Sequence, residues 1–234
     1  MKQQALCLLG VAAMILAAGC SSGYRAVYDI GLIDAERPAE AQQEYGTQVV
    51  KVIGEVGKEL SHFEDNMVAI GWTPTPDEFQ MEVSNKTNEP IEINWNDGAY
   101  IDEDGNRHRI VHSKVIYEDR EKHQKPSVVE PGGTLSETIR SADNIYYEGG
   151  INARFREKPF FPTYAKSQDE LDRETSALAN KTVKIALPLE ANGKEQLYVF
   201  VFKVKHIKVE KARGKDKDKG STWTEEDQYA PIQY

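Results

Sequence analysis

The chain has 234 residues, a length typical of one domain or of one domain with tails. Its 29 basic and 38 acidic residues give a net charge of −9 at pH 7, which argues against a general nucleic-acid-binding protein, because such proteins need a concentrated basic face. Both cysteines, Cys7 and Cys20, lie near the start, and after residue 20 no apolar run approaches the roughly 20 residues of a membrane-spanning helix. We therefore expect a water-exposed body without internal disulfides.

The first twenty residues have the pattern of an export signal. Lys2 supplies a positive charge, residues 5–18 form an apolar run, and small residues lead up to Cys20. This combination is typical of a secretory signal peptide, and the run is too short to span a bilayer comfortably. An ordinary cleaved signal peptide with a chance cysteine would have the same charge and apolar run.

The segment Leu16-Ala17-Ala18-Gly19-Cys20 resembles the lipobox of bacterial lipoproteins. The resemblance implies that residues 1–19 are a lipoprotein signal peptide, cleaved after Gly19, and that Cys20 is lipidated. Each buried CH₂ of a lipid chain contributes about 0.8 kcal/mol, so several chains on one cysteine give a permanent anchor. In Gram-negative lipoproteins an aspartate after the cysteine favours inner-membrane retention. Ser21 at that place implies an outer-membrane anchor; in a Gram-positive source the motif implies the outer face of the plasma membrane.

The segment that follows is predicted to be a spacer. Residues 20–46 carry small, polar and charged side chains, which favour a flexible tether between the lipid and the folded body, with a short helix at residues 38–45. A β-domain is predicted over residues 47–209. Its first strands are indicated by β-branched residues at 49–53 and by the apolar segment 67–72.

Alternating apolar residues predict the next strands. Residues 79–83 and 91–95 both alternate, and the polar turn at residues 85–90 between them predicts a β-hairpin with its apolar faces turned inward. Further strands are predicted at residues 99–101, 109–112, 115–117, 128–129 and 135–139, with an exposed loop at 118–125 and a turn at 130–133.

The second half of the predicted domain is less regular. Residues 141–181 lack periodicity and carry several aromatic side chains, which predicts a long irregular insertion that packs partly on the domain and holds a short helix near residues 170–174. Residues 183–187 alternate cleanly. Residues 197–204 are apolar on both faces, which predicts a central strand. Residues 210–234 are predicted to form a charged C-terminal tail.

Seven or more short strands separated by turn signals predict an all-β fold, an antiparallel β-sandwich of immunoglobulin-like type with a long irregular insertion and flexible termini. The chain resembles the immunoglobulin-like domains of uncharacterised bacterial lipoproteins over residues 66–209. The resemblance is carried by the turn at residues 85–90, Asp104-Gly105, the turn at residues 130–133 and the strand Tyr198-Val199-Phe200-Val201-Phe202. It implies a fold, and it supplies no catalytic residues.

Two groups of residues were weighed as metal sites. Asp102, Asp104 and Asn106 are similar to the start of a calcium loop, but Arg107 and Ser113 stand where an EF-hand needs glycine and glutamate, so a hairpin turn is favoured. His108 and His112 would share one face of a strand, and His123 is near them in the sequence. A zinc site needs three or four converging ligands, and nothing in the sequence indicates that these histidines converge. We therefore interpret all three as solvated or hydrogen-bonding side chains.

Catalytic residues are not expected. Ser113, Ser127 and Ser136 lack the Gly-x-Ser-x-Gly setting of a nucleophile elbow, and thiol chemistry is excluded once Cys20 is lipidated. We therefore predict no enzyme, no cofactor and no metal, with Cys20 as the lipidation site. Basic residues are concentrated in the segment 203–219. We interpret this segment as a solvated strand end and tail, which we favour over the alternative that it contacts an anionic surface such as lipid headgroups.

The pattern as a whole favours an envelope-anchored lipoprotein that serves as a non-enzymatic interaction or scaffolding module. The expected partners are a membrane, through the lipid on Cys20, and an envelope protein; nucleic acid is not expected. One alternative is an accessory lipoprotein of an envelope assembly or secretion machine, docked through the tail, which carries one isoleucine and three aromatic side chains: Trp223, Tyr229, Ile232 and Tyr234. Another alternative is a hydrolase of cell-wall or surface sugars.

Overall fold

The computed structural model describes residues 23–53, 60–151 and 153–212. The first eight strands are β1 (Tyr24–Glu36), β2 (Val49–Ile53), β3 (Leu60–Glu64), β4 (Val68–Pro74), β5 (Phe79–Asn85), β6 (Ile91–Ile93), β7 (Ala99–Ile101) and β8 (Arg107–His112). The remaining strands are β9 (Ser127–Val129), β10 (Thr134–Ser141), β11 (Ile145–Glu148), β12 (Arg154–Glu157), β13 (Tyr164–Ala165), β14 (Thr182–Ala191) and β15 (Lys194–Lys211). Two helices, α1 (Ala39–Tyr45) and α2 (Gln168–Ser176), and 3₁₀ turns at Tyr117–Asp119 and Ala142–Asn144 complete the elements. The predicted all-β class is confirmed.

One antiparallel sheet of 13 strands curls around the core in the order β13-β1-β15-β14-β7-β8-β10-β5-β4-β3-β2, with β6 joining β14 to β9. Strands β11 and β12 form a separate two-stranded sheet. The curl brings β1 against the opposite end of the sheet, where the Leu32 N–H donates to Ser61 Oγ at 3.0 Å and Gln48 Nε2 donates to the Ala35 carbonyl at 2.5 Å. Side chains therefore link these strands.

Aromatic rings fill the space that the curled sheet encloses. The side chains of Trp72 on β4 and of Phe200 and Phe202 on β15 are fully buried. The Trp72 ring centroid lies 5.0 Å from that of Phe200 and 5.2 Å from that of Phe202. Because side chains alternate along a strand, Tyr198, Phe200 and Phe202 enter the same core from one face of β15. The prediction of a central strand here is confirmed, since β15 pairs with both β14 and β1.

The predicted tether is wrong for most of its length. Residues 24–36 form β1, which pairs with β15 from Tyr24 opposite Lys211 to Glu36 opposite Val199. The helix predicted at 38–45 is present as α1. The folded body therefore begins at least 23 residues before the predicted start at residue 47, and at its other end β15 continues to Lys211.

The predicted hairpin between residues 79 and 95 is also wrong. Strand β5 alternates as expected, but it pairs with β4 and β10, whereas β6 pairs with β9 and β14. The polar turn at residues 85–90 therefore carries the chain from one part of the curled sheet to another. The buried Asn85 side chain holds this crossover, because its Nδ2 donates to the carbonyls of Glu89 at 2.7 Å and Val129 at 2.8 Å.

The segment 141–181 contains more regular structure than predicted. It holds β11, β12, β13 and the expected helix, α2, which is capped by Ser167. The prediction that its aromatic residues pack on the domain is confirmed: the Phe160 ring lies 5.3 Å from that of Phe79, and the Phe161 ring lies 5.5 Å from that of Tyr28. The strand predicted at 115–117 is wrong, because Tyr117 begins a 3₁₀ turn.

A buried ion pair joins the end of β1 to the core. Asp65 accepts hydrogen bonds from Arg37 Nη1 at 2.6 Å, from the Tyr198 hydroxyl at 2.9 Å and from the backbone N–H groups of Met67 and Val68. The side chains of Arg37 and Asp65 are 3% and 0% exposed. Removing one member of a buried pair leaves the other charge without compensation, so this contact is a point of high sensitivity.

We expect Asp65→Ala to lower the free energy of unfolding by about 3–5 kcal/mol, because it leaves the Arg37 guanidinium buried and unpaired. Urea unfolding followed by tryptophan fluorescence measures the change. Glu36→Gln is the matched control, because Glu36 forms an exposed pair with Lys184 at 2.7 Å and should cost less than about 1 kcal/mol. Equal costs for the two variants would contradict the proposed role of Asp65.

Candidate functional site

An open cavity of about 520 Å³ lies between the end of β8 and strand β9. Its lining contains three lysines, two histidines and one acidic side chain: Lys114, Lys122, Lys125, His112, His123 and Asp119. The surrounding chain is acidic, with a net charge of −9. This cavity, called here the cationic groove, therefore concentrates positive charge on a protein that is otherwise negative.

The connection between β8 and β9 is held in place by a buried glutamine. Gln124 is 3% exposed, and its Nε2 donates to the Ile110 carbonyl at 2.8 Å. Its backbone N–H donates to Asn96 Oδ1 at 2.9 Å, and Asn96 Nδ2 donates back to the Gln124 carbonyl at 2.7 Å. The lysines on either side of Gln124 are thus attached to a segment with a defined path.

A second anchor of the connection is Tyr117, which packs in a small cluster with Val111, Ala142 and Ile145. The Tyr117 hydroxyl donates to Glu157 Oε2 at 2.7 Å. Together, Tyr117 and Gln124 hold both ends of the segment that carries Lys122 and His123.

A buried carboxylate contacts three of the residues that line the groove: His112, Lys114 and Ser127. The side chain of Glu137, on β10, is 0% exposed and lies 3.4 Å from His112 Nδ1 and 3.3 Å from Lys114 Nζ. It accepts hydrogen bonds from Ser113 Oγ and, at 3.1 Å, from Ser127 Oγ. The His112 contact is longer than a good hydrogen bond, so we describe it as an electrostatic contact.

These contacts control the ionisation of Glu137. Burial by itself would raise the pKa of this carboxyl, but the contacts with His112 and Ser113 and the charge of Lys114 outweigh burial and hold the pKa at about 2. At neutral pH the group is therefore a carboxylate, which lies beneath the positive rim of the groove.

Trp95 orients the hydroxyl that meets this carboxylate. The indole Nε1 donates to Ser127 Oγ at 2.9 Å, and the ring stacks on His112 with centroids 4.8 Å apart and an interplanar angle of 11°. Since the indole N–H is only a donor and a carboxylate is only an acceptor, the Ser127 proton must point at Glu137. The relay from Trp95 through Ser127 to Glu137 fixes the geometry behind the groove.

The contacts around Glu137 are suited to stabilising a buried carboxylate and not to activating a serine nucleophile. In a serine nucleophile site the hydroxyl contacts an imidazole that takes its proton, whereas Ser113 and Ser127 both donate to the carboxylate of Glu137. A carboxyl with a pKa of about 2 is also a poor proton donor at neutral pH. Ser136 lines a second cavity of about 480 Å³, which Ser113 and Glu137 also line.

The histidines weighed from the sequence are not brought together. His108 Nδ1 lies 2.8 Å from Asp143 and its Nε2 lies 3.0 Å from Asp102, while His112 faces Glu137 and His123 contacts Asn96. The hydrogen bond to Asp102 raises the pKa of His108 against the opposing effect of burial, and Asp143 adds to the rise. Within residues 23–53, 60–151 and 153–212, no group of three or more histidine, cysteine or acidic side chains is placed to hold a metal ion.

The acidic turn serves the hairpin between β7 and β8, as predicted. Asp102 accepts from the backbone N–H groups of Asp104 and Asn106 at 3.0 and 2.8 Å, and Gly105 takes the positive φ of 87° that closes the turn. These bonds occupy the carboxylate that a calcium ion would need.

A second buried network had no signal in the sequence. Arg140 Nη2 lies 2.5 Å from Glu78 Oε2, and its Nε lies 3.3 Å from Glu157 Oε2. Burial raises the pKa of Glu157 to about 7, although the charge of Arg140 and the Tyr117 hydroxyl act in the opposite direction. The side chains of Glu78 and Glu157 are only 10% and 5% exposed, so this pair lacks the open cleft that a sugar-cleaving pair needs.

Several residues singled out from the sequence lie outside the described residues. They include the lipidation site Cys20, the signal segment 1–19, the aromatic residues of the tail and the second half of the basic segment. The first half of that segment, Lys203 to Lys211, lies on β15. In the described part of the chain, no helix combines the length and the apolar character needed to cross a bilayer.

Comparison with protein-family models, with curated proteins and with solved structures gives no match for this chain. Function is therefore inferred from the geometry of the cationic groove and from the sequence pattern around Cys20. The groove was missed in the sequence because residues 118–125 were interpreted only as an exposed charged loop. The signal that pointed to it was the density of cationic side chains from Lys114 to Lys125.

We expect Glu137→Gln to flatten the acid side of the stability profile. Because the folded pKa of about 2 lies below the ordinary value of 4.5, the carboxylate contributes stability above pH 4.5, and this contribution is lost as the pH falls towards 2. Its full size is about 3 kcal/mol. Urea unfolding at pH 7, 5, 4 and 3 measures the loss, which should be smaller in the variant. Glu82→Gln, on the exposed face of the neighbouring β5, is the control and should follow the unmodified protein.

Proposed function

We propose that this chain is an envelope lipoprotein, anchored through lipid on Cys20, whose β-domain is a non-enzymatic interaction module that binds an anionic group of an envelope partner. The observation that carries the proposal is the cationic groove, where three lysines and two histidines line one cavity of an acidic protein. An outer-membrane location is part of the proposal and is supported by Ser21 after the cysteine.

The rim of the groove is suited to an anion. The side chain of Lys122 is 70% exposed and lies 2.6 Å from Asp119, and that of Lys114 is 65% exposed above Glu137. Among the described residues, Lys125 has no ion-pair partner. Hydrogen bonds to charged groups contribute about 1.5–3 kcal/mol each, so two or three ammonium groups suffice for a specific contact with a carboxylate or phosphate.

An acidic segment of an envelope protein is the partner that we favour. Exposed Val128 at 46% and Ile116 at 36% border the lysines, so the groove offers apolar as well as cationic contacts. A protein segment supplies both kinds of group, and rim charges of this kind act mainly on partner choice and association rate. If the partner belongs to a larger envelope assembly or secretion complex, the chain would be an accessory lipoprotein of that complex.

The immunoglobulin-like architecture is likewise proposed. It is supported by the packing of Phe63 and Trp72, on β3 and β4, against the aromatic residues of β15, which places two parts of the sheet over one common core. Such sandwiches commonly use the loops at one end for binding. In this proposal, the connection between β8 and β9, which carries the lysines of the groove, is one of these loops.

Replacing the rim lysines should abolish most of the binding of a polyanion. We expect the triple variant Lys114→Gln, Lys122→Gln, Lys125→Gln to lower the affinity for poly-L-glutamate at least tenfold at low salt, because three ammonium groups are removed from one cavity. Isothermal titration measures the affinity. The control replaces three exposed lysines that lie elsewhere, Lys51, Lys86 and Lys194, and should change it less than threefold. Equal losses in the two triple variants would indicate nonspecific attraction and would contradict the groove.

The anchor is tested separately. We expect Cys20→Ser to remove fatty-acid labelling and to move the protein from the membrane fraction to the aqueous fraction, because a hydroxyl cannot form the thioether. Metabolic labelling with a palmitate analogue and fractionation of cells measure both effects. Retention of the label and of membrane association in the variant would refute the lipoprotein assignment.

A further inference from the structure

The start of β1 leaves almost no chain between the proposed lipid and the folded body. Only Ser21, Ser22 and Gly23 separate Cys20 from Tyr24, the first residue of the strand. At a maximum of about 3.6 Å per residue, the Cα atoms of Cys20 and Tyr24 cannot be more than roughly 14 Å apart. A lipid on Cys20 would therefore hold the start of β1 close to the bilayer surface.

The residues around this point form one end of the body, called here the anchor end. Tyr24 lies opposite Lys211 of β15 and opposite Ala165 of β13, and the N–H of Ala212 donates to the Gly23 carbonyl at 2.8 Å. Strand β14 pairs with β15 only as far as Thr182 opposite Lys203. The last eight residues of β15 and the first seven of β1 thus extend beyond β14 as a two-stranded ribbon.

Helix α2 braces this ribbon. Leu171 is fully buried and packs with Ala26 and Ala165, and the partly buried Tyr24 and Val209 pack against the same cluster. The ribbon is therefore supported along its length, and the anchor end is rigidly connected to the rest of the sheet.

Side chains at the anchor end suit a headgroup surface. Lys208 is 65% and Arg25 is 40% exposed, Tyr164 is 39% exposed, and Glu210 is paired with both cations at 2.9 and 2.5 Å. Tyrosine and basic side chains are enriched where proteins meet membrane interfaces. Because α2 begins nearby with Asp169 and Glu170, the charge of this end is mixed.

The register of the strands places the cationic groove at the opposite end. Ser127 of β9, which lines the groove, pairs with Ile93 of β6; Ile93 pairs with Leu189 of β14, and Leu189 pairs with Gln196 of β15. Fifteen residues of β15 separate Gln196 from Lys211. At about 3.3 Å per residue, this separation corresponds to up to about 50 Å along the strand.

We propose that the body stands on the bilayer with its anchor end against the phospholipid headgroups and presents the cationic groove on the far side, up to about 50 Å from the membrane. The proposal rests on lipidation of Cys20, which is part of the proposed function. It commits the anchor end to one partner, the surface of the phospholipid bilayer in which the lipid is inserted.

The test uses the lipidated protein, extracted from membranes and reconstituted into vesicles of phosphatidylethanolamine and phosphatidylglycerol at 3:1. A fluorophore is attached to Lys211→Cys at the anchor end, to Val128→Cys at the groove or to Lys194→Cys at the far end of β15. Energy transfer to an acceptor on the lipid headgroups reports the distance. We expect transfer at Lys211→Cys at least threefold more efficient than at Val128→Cys and Lys194→Cys.

A control variant separates geometry from chance contact. Inserting 20 glycine and serine residues between Ser22 and Gly23 should abolish the difference between the positions, because the body is then free to tumble. Equal transfer at the three labels in the unextended protein would overturn the proposed orientation. If the protein carries no lipid and does not float with the vesicles, the proposed anchor is wrong. This result differs from equal energy transfer in a vesicle-bound protein, which would overturn only the orientation.

Discussion

The pairing of the first strand with the last determines the organisation of this molecule. β1 and β15 are joined from Tyr24 opposite Lys211 to Glu36 opposite Val199, so the two ends of the described chain lie side by side. Loop-closure entropy opposes such a long-range contact until the strands between them are in place. Once it has formed, the curl of the sheet closes over the rings of Trp72 and Phe200, and the ion pair between Arg37 and Asp65 ties the end of β1 to the core.

The same pairing explains why part of the fold was predictable from the sequence and β1 was not. Strands such as β5 follow a strict period of two, with Phe79, Met81 and Val83 buried, and this pattern identifies them. In β1 the register shifts twice, between Asp29 and Ile30 and between Leu32 and Asp34. A bulge moves the inward face by one residue, so the buried residues of β1 do not alternate and the segment is similar in pattern to a polar spacer. The hairpin predicted after β5 is wrong for another reason. A polar turn is equally compatible with a hairpin and with a crossover to another part of the sheet.

The candidate site was hidden because its parts come from distant segments. The lysines lie on one connection, whose charge is visible in the sequence, but Ser127 in the lining of the cavity also donates a hydrogen bond to Glu137 on β10. Nothing in the spacing of these residues indicates the contact. Two of the serines considered as nucleophiles, Ser113 and Ser127, and one of the histidines considered as zinc ligands, His112, contact the buried carboxylate of Glu137. For these three residues the residue type suggested catalysis or metal binding, whereas the geometry supports charge compensation.

The buried carboxylate also restricts what the groove can hold. Lys114 and His112 already face Glu137, and Lys122 is paired with Asp119 at 2.6 Å. An incoming anion must therefore compete with these two carboxylates for Lys114 and Lys122, whereas Lys125 at the rim has no ion-pair partner among the described residues. If the anchor end stands on the bilayer, those rim lysines lie too far from the same membrane to reach its phosphate groups, because electrostatic attraction is screened within about 8 Å in physiological salt. The anionic group must then be supplied from the aqueous layer above the membrane. An acidic segment of a second protein, or of a polymer that crosses that layer, satisfies this condition, and the headgroups of the anchoring leaflet do not.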